Sequence, residues 1–169
     1  MSSQKDLFSE YPRQVRASTE RPASLFVRKS GYYAVHGRQP DTPAPGAALL
    51  LDEGAIAVFQ GEPDETQAAS MVGTLGPVYA LQPDGPPAVP TGLVFVRFAE
   101  GVAAESRRKD INRVGYEVAE SVSYAPHAAW LHARSGRIAD ALAGISALEE
   151  MPDVENVEPQ MLMASARRA

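Results

Sequence analysis

The chain has no cysteine among its 169 residues. That absence removes a disulfide framework, thiolate metal sites and a cysteine nucleophile together. Long apolar runs are missing too, since no stretch approaches the ~20 residues needed to span a bilayer as a helix. The N-terminus, MSSQKDLFSEYPRQ, lacks the basic-then-apolar layout of a secretory signal. A soluble, cytoplasmic protein without a membrane partner is expected. Basic charge is scarce: 16 Lys and Arg stand against 21 Asp and Glu, a formal charge of −5. Phosphate-rich ligands are held by clustered cations, so nucleic acid is not an expected partner.

Catalytic and metal-binding patterns are equally sparse. His127 and His132 lie five apart on an expected strand, so they point to opposite faces and do not chelate one ion from it. No H-E-x-x-H, no G-x-x-x-x-G-K-[ST] and no G-x-G-x-x-G after a strand occurs. The carboxylates Glu149, Glu150, Asp153, Glu155 and Glu158 read as a solvated run. No cofactor, metal or catalytic residue is expected, and the chain reads as non-enzymatic.

What is present has the balance of a globular protein, 44% apolar and 22% charged. Residues 1–24 are polar and without sustained periodicity, which predicts a flexible arm. Residues 25–82 predict a small strand-rich module, with two strands around Ser30-Gly31, a hairpin around Asp52-Glu53-Gly54, a strand at Val78–Leu81 and a short helix at Glu65–Val72. Residues 83–90, PDGPPAVP, hold four prolines. Proline fixes φ and removes the backbone donor, which makes this the expected linker.

Beyond it the elements read β-α-β-β-α-β. Gly92–Phe98 is apolar on both faces until Arg97, as a central strand would be. A helix with the thin stripe Ala104, Ile111 and Val114 ends at Gly115. Strands follow at Glu117–Tyr124 and His127–Ala133. Ile138, Leu142, Ile145 and Leu148 mark an amphipathic helix that Pro152 ends, and VENVEP supplies a last strand. Right-handed crossovers then predict an α+β, ferredoxin-like antiparallel sheet over residues 91–160, with two helices on one face. Residues 161–169 remain as a C-terminal tail.

This pattern resembles the prodomain of subtilisin-like serine proteases and the related free-standing proteinase inhibitors. The residues that carry the resemblance are Val94, Val96, Phe98, Gly101, Val102, Gly115, Leu142, Leu148, Pro152, Val154, Val157, Glu158 and Pro159, within about residues 91–163. It implies a protein that docks its sheet on the protease, lays its C-terminal segment in the active-site cleft, inhibits, and templates folding of the catalytic domain. The partner implied is a subtilisin-like serine protease domain, in cis or in trans. The residues implied to face it are Glu158, Pro159, Met161, Leu162 and Met163, with Glu158 near the N-termini of protease helices, where an anion is favoured. The chain is not itself read as such a protease: His36-Gly37 and Asp84-Gly85 stand in the wrong order, and no G-T-S-x-[AS] nucleophile turn exists.

Two readings of Met161–Met163 stay open at this level. They fill pockets on a partner by strand addition, or they finish the last strand and pack in the protein's own core. Two other functions compete. Phe95, Phe98 and Trp130 on a sheet echo an RNA-recognition module, but VFVRF sits on the first strand rather than the third and the charge is negative. A regulatory or assembly module is the remaining alternative, because the fold alone does not select among functions.

Overall fold

The computed structural model describes residues 7–63, 74–82 and 85–164. The helix expected at Glu65–Val72 and tail residues 165–169 lie outside these. Strands hold 47% of the structure and helices 16%. In chain order the strands are β1 (Gln14–Ser18), β2 (Arg21–His36), β3 (Leu49–Leu51), β4 (Ile56–Gln60), β5 (Thr74–Ala80), β6 (Ala88–Phe98), β7 (Tyr116–Ser121), β8 (Ala128–Ala133) and β9 (Val154–Met163). Between β6 and β7 lie a 3₁₀ turn (Ala104–Arg107) and α1 (Arg108–Arg113). Between β8 and β9 lie α2 (Ile138–Ala143) and α3 (Ile145–Glu149).

The expected ferredoxin-like fold, a four-stranded sheet with two helices on one face, is overturned by this strand-dominated architecture. Nine strands are found among the described residues, joined in the order β3-β4-β2-β5-β6-β8-β7, with β1 on β2 and β9 on β6. The physical reason lies in both kinds of element. The first expected helix buries only Ala104 and Ile111, and it winds as a 3₁₀ turn followed by six α-helical residues. The second breaks at Gly144 into pieces of six and five residues. Meanwhile the strands outgrow their expected lengths, to 16 residues in β2, 11 in β6 and 10 in β9.

Two compact units are formed, one by residues 1–9, 27–89 and 161–169, the other by 10–26 and 90–160. In the first unit β2 pairs antiparallel with β4 through Tyr32–Val35 and with β5 through Val27 to His36. The two strands expected around Ser30-Gly31 are therefore one. Gly31 takes φ 82, and a register shift between Arg28 and Tyr33 absorbs the irregularity as a bulge instead of a turn. The hairpin expected at Asp52–Gly54 forms between β3 and β4. Ala34, Leu51, Ile56, Val58, Val78 and Val89 make the core. The proline-rich loop after β2 is fastened by Arg38, whose guanidinium donates to the carbonyls of Gly54 (2.8 Å), Thr42 (3.1 Å) and Pro43 (2.9 Å).

In the second unit β6 pairs with β8 through Val94↔Leu131 and Val96↔Ala129, and β8 with β7 through Tyr116↔Ala133. Val94, Val96, Phe98, Ile111, Leu131, Leu148 and Val157 are fully buried. Residues 14–18 and 21–24, read from the sequence as part of an arm, are strand here. The turn between them is held to β9, with the Thr19 amide donating to Asn156 Oδ1 (3.1 Å) and the Val157 amide to Thr19 Oγ1 (3.0 Å). The break at Gly144 has a cause: Tyr116 is buried beside it and donates its hydroxyl to the Ala141 carbonyl. A Cβ at Gly144 would stand 2.6 Å from that hydroxyl oxygen.

Gly144→Ala loses about 1–3 kcal/mol in urea denaturation by overpacking. Adding Tyr116→Phe, which removes the nearest clashing atom, returns part of that loss, so the pair is non-additive. Burial, reinforced by the Asp140 carboxylate, raises the Tyr116 pKa above its ordinary 10.0. The folded state therefore holds the phenol proton more tightly, and this contribution to stability declines as pH rises beyond 10. Arg38→Ala loses about 1 kcal/mol, two of its three carbonyl partners, Thr42 and Pro43, being exposed, and speeds amide exchange across residues 39–46. Arg38→Lys does not restore protection, because an ammonium lacks the planar fork.

Candidate functional site

Alternation along β6 and β8 decides which side chains meet. Directly opposed residues share a face of the sheet. Val94 with Leu131 and Val96 with Ala129 lie on one face and are sealed from solvent. The other face carries Phe95 opposite Trp130, Arg97 opposite Ala128, and Glu117 opposite His132. Phe95 and Trp130 pack edge to face, with centroids 5.2 Å apart and planes at 61°. Both are half-buried, as is Leu93, which the same alternation places beside them.

Charged residues ring this aromatic centre in opposed pairs. At one end Arg97 pairs with Glu20, from the turn after β1, and lies 3.8 Å from Glu155 of β9. At the other end His132 Nε2 stands 3.1 Å from Glu117 Oε2, and Arg134 Nε is 3.8 Å from Glu117 Oε1. All of these side chains are partly solvated, so each pair adds little to stability, on the order of 0–1 kcal/mol. Their effect is to fix the charge pattern around an apolar patch. A cleft of ≈ 260 Å³ adjoins the patch, lined in part by Leu93, His132, Arg137 and Ile138. At its mouth Arg137 is paired with Glu10.

The loop between β7 and β8 is also anchored. Arg108 grips Glu105 through both nitrogens (2.9 and 2.7 Å), and Ser121 Oγ donates to the same carboxylate (3.0 Å). Hydrogen bonds from Arg108 first and Ser121 second hold the Glu105 carboxyl below its usual range. At the loop's tip Tyr124 is 91% exposed.

The five residues singled out by the sequence lie together on β9 but in different settings. Glu158 is half-buried and accepts a hydrogen bond from Asn156 Nδ2 at 3.1 Å. Pro159 is buried. Met161 and Leu162 are half-buried, and Leu162 packs against the core of the first unit. Met163 is 42% exposed. Of the two readings left open, packing into the protein's own core describes Leu162.

The sequence reading missed the aromatic face. In sequence Phe95 and Trp130 read only as an echo of base-stacking residues, although the alternation in LVFVRF already separates Val94 and Val96 from Phe95. Glu20 carried no local signal at all, because it reaches Arg97 across 77 positions of sequence.

Among the described residues no group of three or more His, Asp or Glu could hold a metal ion, and no helix is long and apolar enough to cross a membrane. Comparison with known proteins finds no matching family model, no similar curated protein and no similar solved structure.

Proposed function

We propose that this chain is a propeptide-type inhibitor and folding chaperone of a subtilisin-like serine protease, acting without catalysis of its own and in the cytoplasm. The observation that supports this reading is the half-buried Phe95–Trp130 pair, set in a sheet face and ringed by Arg97, Glu20, Glu117 and His132. Protein interfaces join an aromatic, desolvated centre to a polar rim, and a few central side chains carry most of the affinity. The Val94–Pro159 pattern that resembles subtilase prodomains adds the partner's class. On this reading the sheet face docks on the protease. Glu158, Pro159 and Met161–Met163 lead toward its cleft, with Met163 the exposed contact and Leu162 holding the strand to its own core.

The test is inhibition of a purified subtilisin by the whole chain. Slow, tight inhibition is expected. Trp130→Ala weakens it about thirtyfold, the loss of roughly 2 kcal/mol that a central aromatic contact carries. Trp130→Phe retains most of the inhibition, while Glu117→Ala at the rim changes it little. A cooperative urea transition for each variant at the assay temperature separates lost docking from lost folding. Digestion of the chain with no inhibitory phase, or equal inhibition by Trp130→Ala, removes the proposal. A concentration-dependent mass by light scattering in the absence of protease favours an assembly module instead.

A further inference from the structure

We propose that His36 is a proton-operated latch on one end of the β2–β5 ladder, a proton taken up at its Nε2 in mildly acid solution opening that end of the first unit. His36 is the last residue of β2 and stands opposite Thr74, the first residue of β5. Its neighbour Val35 is held between Ala57 of β4 and Leu75 of β5. The chain turns immediately afterwards at Gly37, with φ 74.

The ring's surroundings are what make it a latch. Nε2 is shut off from solvent and meets no hydrogen-bond partner. In the neutral ring this atom need only hide a lone pair, provided Nδ1 carries the proton. In the imidazolium the same atom bears an N–H and a share of a full charge, and burying an unpaired charged donor is far costlier. The two strands that flank this end of β2, β4 and β5, offer no relief. Residues IAVFQ of β4 and TLGPVYA of β5 contain neither a carboxylate nor a cation, and Tyr79 is their sole titratable group. Among the described residues, the charged groups of the adjoining loop and hairpin turn are Arg38, Asp41, Asp52 and Glu53. Arg38 has the sign of the imidazolium and is already spent on the carbonyls of Gly54, Thr42 and Pro43. The carboxylates lie in the loop and hairpin turn, and none reaches Nε2.

Burial accordingly lowers the His36 pKa from its ordinary 6.5. The open form, with the ring in water, binds the proton more readily than the closed form. Stability at this site is therefore complete above pH 6.5 and declines as pH falls below it. The device belongs to the first unit alone and holds whether or not a protease binds.

The experiment uses the full chain with isotope-labelled imidazoles, titrated by NMR from pH 8 to 4.5, together with amide exchange corrected for its intrinsic pH dependence. The His36 ring is expected to titrate below 6.5. Exchange at Ala34–His36 accelerates about tenfold between pH 7.5 and 5, while Val94 and Val96 in β6 stay unchanged. In His36→Gln, which keeps polarity without the titration, that acceleration vanishes. The latch is overturned by a His36 ring titrating at or above 6.5, or by an acceleration that persists in His36→Gln. Should the variant fail to fold, the titration and exchange of the native chain decide alone.

Discussion

The pairing of β6 with β8 is the constraint on which the second unit rests. Four consecutive rungs, from Val94↔Leu131 to Arg97↔Ala128, fix a register in which aliphatic and aromatic side chains take opposite faces. A slip of β6 by one residue would send Phe95 inward, away from Trp130, and Val94 and Val96 outward, so the ladder decides core and surface together. Tyr116 extends the buried side through β7, and its hydroxyl reaches the Ala141 carbonyl only because Gly144 offers no side chain. The aromatic face is thus set by the same rungs that exclude water behind it.

Much of this was legible where the signal is local. Gly92–Phe98 and His127–Ala133 announce β6 and β8 by apolar content, and the Asp52–Gly54 hairpin announces itself by its turn. The fold class was not, for reasons that particular residues make plain. Gly31 signals a turn, yet positive φ serves a bulge equally well, and only the pairing of β2 with β4 and β5 selects the bulge. Ile138, Leu142, Ile145 and Leu148 carry a helical period through Gly144, but the period cannot show that the Tyr116 ring will press on that glycine. Pro90 signals a break, yet β6 runs through it, with rungs to β5 at Ala88 and to β8 from Val94 onward. The candidate site divides the same way. Alternation exposes Phe95, whereas the Glu20–Arg97 and Glu117–His132 pairs depend on contacts that sequence neighbours do not encode.

The charged residues of the two units perform different work. Around the aromatic face they stand in opposed pairs in partial solvent, where each adds little to stability. Beneath the proline-rich loop, Arg38 is engaged by backbone carbonyls, a use that organises chain rather than surface. Arg107 has a similar part beside β9: it pairs at 2.7 Å with Asp153, whose φ of 66 turns the chain out of the last helix. A residue other than glycine in that conformation carries strain of order 1 kcal/mol, which the ion pair and the Ala99 amide on the Asp153 carbonyl help to offset.

Trp130 is the sole tryptophan of the chain, and it sits on the very face argued to meet a partner, half-covered and against the Phe95 ring. Ultraviolet emission excited at the indole band therefore originates from this one surface position, free of any second indole. The protein carries a built-in optical reporter there, and a blue shift on mixing would register drying of the patch without any added dye.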